Sequence, residues 1–203
     1  DQVAVHINGK MQFYGGKAKA VEKNTRVKAR IVAQALREII SDADSVLVMG
    51  HTNEDFDSLG AAIGVVIMAR HLGKPIRIVV SHPGISLSKL QEIFGDHEEY
   101  KDLFITQGAA MSLITSRTLL FVVDVHLPEI TAAPELLNKI DRVVVMDHHR
   151  RSEAFIANPL LVYLEPSASS TCELITELLT YFDDYLTINK LDATALYAGI
   201  VVD

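Results

Sequence analysis

A parallel α/β fold covered on both faces is predicted by three features of the sequence. Short, nearly unbroken runs of β-branched and apolar residues recur between residues 46 and 146, helical or turn-rich segments separate them, and several run directly into acids and histidines. Continuous apolar strands alternating with helices indicate a parallel sheet buried on both sides, since a sheet with one wet face would alternate apolar and polar residues. At 203 residues and 22.4 kDa the chain can bury a core without help from disulfides or a structural metal.

Taken in order, Val3–Ile7 and Met11–Tyr14 flank Asn8-Gly9-Lys10, and Asn-Gly between β-prone runs is a strong hairpin signal. Gly15-Gly16 closes that unit. Residues 17–43 read as a linker helix, capped by Thr25 and running to about Ile40, with Val27, Ile31, Ala35, Leu36 and Ile39 on its apolar face and Lys28, Arg30 and Arg37 off it. Residues 44–203 form the main domain. Its strands are expected at Val46–Gly50, Ile76–Val80, Leu119–Val123 and Arg142–Met146. Helices are expected at Leu59–Leu72, Ser88–Phe94, Ala109–Thr115 and Pro134–Lys139, with a longer one at Cys172–Phe182 behind the capping pair Ser169-Ser170. The acid-rich stretch 92–102 reads as a solvated turn. Residues 193–202 fit either a helix ending near Gly199 or a strand.

Composition narrows the function classes. Hydrophobic residues at 49%, charged residues at 22% and six prolines exclude a disordered, collagenous or low-complexity chain. The single cysteine, Cys172, excludes a disulfide framework and a thiolate zinc site, which points to a reducing compartment such as the cytoplasm. No apolar run approaches the roughly 18 residues needed to span a bilayer, and the start Asp1-Gln2-Val3, with neither Met nor a signal pattern, reads as that of a piece of a longer protein. A net charge of −7 argues against a protein that coats duplex nucleic acid. The charge is uneven, however. Residues 1–38 hold eight Lys/Arg against three Asp/Glu, a net of +5, which leaves −12 on residues 39–203.

Those acids fall in a pattern. Ligands of open α/β sheets bind beyond the carboxyl ends of the strands. There, the first strand runs into His51, Asn53, Asp55 and Asp57, the third into Asp124 and His126, and the fourth into Asp147, His148 and His149; the last apolar tract ends in Asp203. Singly, each has an ordinary explanation, such as Asp57 with Ser58 capping the helix that follows. Together they would aim about five carboxylates and two or three imidazoles into one crevice, where bare carboxylates repel and some protonate. A pair of divalent cations resolves the conflict. Carboxylates and imidazoles without thiolates suit Mn²⁺, Fe²⁺ or Mg²⁺, and two-metal sites of this kind use a bridging carboxylate and an activated water as nucleophile.

The run Met49-Gly50-His51-Thr52-Asn53-Glu54-Asp55-Phe56-Asp57-Ser58-Leu59-Gly60, a strand ending in Asp124, the triplet Asp147-His148-His149 and Gly199-Ile200-Val201-Val202-Asp203 occur in the order of the motifs of the DHH phosphoesterase family, which this chain resembles. Within that family it resembles the membrane-tethered cyclic-di-AMP phosphodiesterases of Gram-positive bacteria. The segments that carry this are Asn8-Gly9-Lys10, Phe13-Tyr14-Gly15-Gly16, Thr25-Arg26-Val27-Lys28-Ala29-Arg30, the stretch from Asn158 to Pro166, and Ala168-Ser169-Ser170 with Glu173-Leu174. Glu54 and Phe56 depart from the residues usual in the first motif, at positions that are not ligands.

The resemblance implies that His51 and Asp55 bind one Mn²⁺, that Asp57, His148 and Asp203 bind a second, and that Asp124 bridges them, with Mg²⁺, Co²⁺ or Fe²⁺ as substitutes. Asp147 and His149 would support the ligands or face the substrate. The implied reaction opens cyclic-di-AMP to the linear dinucleotide pApA. It further implies that residues 1–16 are the tail of a degenerate cyclase-like domain, that a C-terminal lobe of the family is absent from this chain, that membrane contact is made only by segments outside it, and that a homodimer is possible. Other activities of the family, on pAp, short RNA or pyrophosphate, share these motifs, and a catalytically silent nucleotide sensor would share the fold.

Overall fold

The computed structural model describes residues 21–203, with side chains from Arg26 onward. The expected hairpin at residues 3–14 lies outside the described residues. The elements run α1 (Val21–Asp42), β1 (Ser45–Met49), α2 (Phe56–His71), β2 (Ile76–Val80), α3 (Ile85–Phe94), β3 (Phe104–Thr106), α4 (Gln107–Met111), β4 (Thr118–Val123), β5 (Val143–Asp147), β6 (Leu161–Leu164), α5 (Thr171–Phe182) and α6 (Lys190–Val202), with two short 3₁₀ turns between β4 and β5.

The six strands form one sheet in the order β3-β2-β1-β4-β5-β6, every pair parallel. Chain order reverses between β1 and β4, so the crevice outside the carboxyl ends of those two strands is where this topology places a ligand. β1 and β4 are buried almost throughout, as expected of central strands covered on both faces. One face packs on α1, α2, α3, α5 and α6 around Val48, Ile63, Phe121, Met146 and Ile175. The other is covered more thinly, with Leu47, Met49, Leu120, Val122 and Val145 meeting Ala110 of α4, Leu136 of a 3₁₀ turn and Ile156.

Several elements differ from the sequence expectation, each for a local reason. β3 and β6 were not expected: at three and four residues they are too short to show a period, and β6 sits between Pro159 and Pro166. The helix α1 starts before Thr25 and turns a different face inward: Ala29, Val32, Ala33, Leu36 and Ile40 are buried, while Val27 and Ile31 are exposed. Lys28, expected off the apolar face, is buried with them and donates to Glu165 at 2.6 Å, which rotates the helix by about one residue. The ambiguous tract 193–202 is helix α6. Asn189 caps it, and the Tyr100 hydroxyl donates to its buried Asp192 at 2.8 Å.

α2 is buried on nearly every side, against β1, α5 and α6. It reaches α6 closely because glycines face the contact. A Cβ on Gly199 would stand 2.3 Å from Cys172 Sγ and 2.9 Å from the Phe56 carbonyl, so only glycine lets α6 approach the loop that carries Asp55 and Asp57.

Candidate metal centre

The loop after β1 brings the first three donors. Asp55 is the N-cap of α2, its Oδ1 accepting from Ser58 N at 2.9 Å, so the capping role expected of Asp57 belongs to Asp55. Asp57 lies in the first turn and is almost fully buried. Its two oxygens accept the Thr171 and Cys172 amides at the start of α5, both at 2.7 Å, so a helix amino end meets its charge. Glu54, the departure from the family pattern, is also buried. It accepts from Ser81 N at 2.7 Å, and the Ser81 hydroxyl donates to the Thr52 carbonyl, which ties this loop to the end of β2.

Asp124 follows β4 with φ of 61°, in the left-handed region that a non-glycine residue occupies at a cost of about 1–2 kcal/mol. That turn aims a 4% exposed carboxylate between the two groups of donors. Its Oδ2 is 3.5 Å from His51 Nε2, and its Oδ1 is 3.6 Å from His148 Nε2. Thr171 Oγ1 donates to Oδ1 at 2.9 Å. His51 Nε2 also lies 3.3 Å from Asp55 Oδ2. His148 Nε2 faces Asp203 Oδ2 at 3.5 Å and Asp57 Oδ2 at 3.9 Å. All six residues singled out as ligands thus converge, in two groups, His51–Asp55–Asp124 and Asp57–His148–Asp203, with Asp124 touching both, and His149 stands with Asp124 and His148 in a third.

These donors fit divalent cations. His148 Nε2 is buried, has no hydrogen-bond partner among the described residues, and looks at three carboxylate oxygens. Two donors on one cation at about 2.1 Å stand roughly 3 to 3.5 Å apart, close to the separations seen here. Without a cation the charges strain against each other. Burial first, and the neighbouring Asp57 and Asp55 carboxylates next, push Asp124 up to about 6, against the opposing pull of His51 and Thr171. The Asp124 and Asp55 carboxylates raise His51 to about 10. In metal-free protein at neutral pH, the His51 imidazole therefore holds a proton where a cation fits.

Asp147 and His149 lie beside this cluster. Asp147, at the end of β5, is wholly buried; burial would raise its carboxyl, but hydrogen bonds from His149 and His126 outweigh that and hold it below the usual carboxylate range. Its Oδ1 accepts the His149 amide at 3.1 Å and the ring Nδ1–H at 2.7 Å. His149 is more than half exposed, and the Asp147 bond raises it to about 9. Two supporting contacts are not predicted by residue spacing. Thr171 could not be found from spacing, being 47 residues beyond Asp124. His126 stood in view two residues past a strand-end acid, yet its partner became clear only in three dimensions.

A family model described as the N-terminal domain of the DHH family matches residues 45–200. The chain belongs to the DHH family. It is 49% identical over its whole length to the cyclic-di-AMP phosphodiesterase GdpP of Bacillus subtilis, and spans 31% of that protein. It is 25% identical over 78% of its length to a relative named as a probable manganese-dependent inorganic pyrophosphatase of Streptococcus mutans, and covers 47% of it. Among solved structures, an exopolyphosphatase-related protein of Bacteroides fragilis aligns with 91% of this chain and 51% of its own, at a TM-score of 0.65 and 18% identity, which shows a shared fold. In this DHH chain no helix among the described residues is long and apolar enough to cross a membrane.

Proposed function

We propose that residues 44–203 are the metal-binding part of a phosphodiesterase that hydrolyses cyclic-di-AMP to pApA, preceded by a linker helix at 17–43 and an upstream domain ending at residue 16. The observation that carries the reading is Asp124, whose two oxygens each face the imidazole of a different donor group. In this reading His51 and Asp55 hold one divalent cation, Asp57, His148 and Asp203 the other, and Asp124 both. The donor set and the manganese-dependent relative favour Mn²⁺. Cations so held acidify a bound water and polarise a phosphoryl oxygen.

The chain's own residues supply the rest. The amino end of α5 and Thr171 fix Asp57 and Asp124 before any ligand arrives. Asp147 holds the His149 ring toward solvent at the rim of the crevice, where a phosphate of the substrate would lie. Water adds to one phosphodiester and the bond from phosphorus to the 3′ oxygen breaks, leaving a 5′-phosphate and a 3′-hydroxyl, which is pApA. The choice of cyclic-di-AMP over other phosphate esters rests on the 49% identity to the phosphodiesterase relative, as does a cytoplasmic placement tethered through segments outside this chain.

The test is turnover by the full-length protein with Mn²⁺ and, separately, cyclic-di-AMP, cyclic-di-GMP, pAp and pyrophosphate, with products resolved by chromatography. Manganese-dependent pApA from cyclic-di-AMP is expected. Consumption of only pAp or pyrophosphate would reassign the substrate within the family, and binding of cyclic-di-AMP without turnover would make the protein a sensor.

A further inference from the structure

We infer that His126 is a positioning residue for His149: acting through the Asp147 carboxylate, it fixes the His149 ring with Nδ1–H turned inward and Nε2 left to face a substrate phosphate. The inference rests on the proposed reading in which His149 meets the substrate.

His126 is 4% exposed, and its Nε2 accepts the Ser152 N–H at 3.2 Å. An amide can only donate, so this contact favours a lone pair on Nε2 and the ring proton on Nδ1. The Ser152 hydroxyl, 3.0 Å from the same Nε2, sends its own proton to the Ala154 carbonyl at 2.6 Å, so its oxygen can only accept from this nitrogen; the proton on Nδ1 is decided at the other side of the ring, where the Asp147 carboxylate can only accept. His126 Nδ1–H then donates to Asp147 Oδ2 at 2.5 Å. With Oδ2 occupied, the carboxylate cannot rotate away, and Oδ1 remains to accept both the amide and the Nδ1–H of His149.

The loop that carries His149 also supplies the other end of the chain of bonds. Three residues past His149 it places Ser152, whose amide and hydroxyl both meet His126 Nε2. At Phe155 it lays a ring against His126, with centroids 5.2 Å apart, and the Arg151 guanidinium lies 4.6 Å from the Phe155 ring centroid. A buried histidine serving only as filler would need neither a fixed tautomer nor a bond to the carboxylate that orients an exposed ring. Partners of this kind, one step behind the groups that do the chemistry, typically change activity 10- to 100-fold when removed.

The test compares His126→Asn, His126→Gln and His126→Ala in the full-length protein. Asn places an N–H where Nδ1 stood and gives up the Ser152 contact; Gln reaches Ser152 but puts no donor at the Nδ1 place. The activity-independent readout is proton NMR of the magnesium-loaded, histidine-labelled protein, in which imidazole N–H protons held by a carboxylate resonate far downfield and exchange slowly. The His149 Nδ1–H signal is expected to persist in wild type and Asn and to vanish in Gln and Ala, with metal content unchanged. With cyclic-di-AMP, kcat is expected to fall about 10- to 100-fold in Gln and Ala, with KM moving less, and to recover in Asn. Persistence of the His149 signal in all three variants would overturn the inference, as would equal kcat losses in Asn and Gln. Absence of turnover in wild type would instead count against the phosphodiesterase reading, and the NMR comparison would still decide the role of His126.

Discussion

At the amino-terminal end of the sheet, acids and bases are matched. Asp42 meets Arg142 at 2.9 Å and Asp44 meets Arg117 at 3.1 Å, while Lys74 donates to the Ser41 and Ala43 carbonyls and so fastens the end of α1. At the carboxyl end, Asp55, Asp57, Asp124 and Asp203 face imidazoles, amides and one another, and among the described residues no lysine or arginine pairs with any of them. The same sheet thus neutralises its charges at one end and leaves a deficit of positive charge at the other. Matched pairs at an exposed edge add little stability; a buried deficit costs stability unless something else brings the charge. Divalent cations are what the donor types there select.

The contrast can be broken first at Asp124. Asp124→Asn keeps the shape and one acceptor for Thr171 but cannot bridge two cations; turnover of cyclic-di-AMP is expected to fall to background and bound manganese to drop, while circular dichroism shows the fold intact. Metal-free thermal stability should rise slightly, because a buried charge is gone. Gly199→Ala is next. Its Cβ has no room beside Cys172 and Phe56, so α6 must shift; a loss of about 1–3 kcal/mol in denaturant unfolding is expected, with weaker manganese binding because Asp203 moves with the helix.

The titration of the site gives a third, smaller effect. Asp124, His51 and His149 all bind protons more tightly in the metal-free fold than in the unfolded chain, with values raised to about 6, 10 and 9. Their contribution is complete at low pH. It is lost as pH rises, between 3.8 and about 6 for Asp124 and between 6.5 and about 9 to 10 for the imidazoles. Cations replace the protons on Asp124 and His51, so the gap in Tm between manganese-loaded and metal-free protein should widen from pH 6.5 to 9; a gap that narrows would contradict the placement of the ions. Thr171→Val, which removes one hydrogen bond to Asp124, should weaken manganese binding by about tenfold in calorimetric titration. At the matched end, Arg142→Gln should change stability by less than about 1 kcal/mol and leave metal binding untouched.

The two ends also differ in how legible they are. The strand runs identified the carboxyl ends, and a parallel sheet gathers whatever follows its strands, so His51, Asp55, Asp57, Asp124 and His148 could be placed in one crevice from sequence alone. Asp203 comes from a helix, and only its distance from Gly199, with the packing of α6 on α2, explains its arrival. The hidden parts are those fixed by long-range contacts: Thr171 from α5, the inward turn of α1 set by Lys28 with Glu165, and the strands β3 and β6, which are too short to show a pattern. Asp55 and Asp57 are two apart and chemically alike, and which of them caps α2 depends on the start of α5, far along the chain.

The central claim is a pair of cations sharing Asp124, and manganese titration of metal-free protein followed by electron paramagnetic resonance addresses it directly. The account predicts two Mn²⁺ per chain with an exchange-coupled spectrum that gives way to isolated-ion signals in Asp124→Asn. A single uncoupled ion per chain in the wild type, or coupling that survives Asp124→Asn, would contradict it.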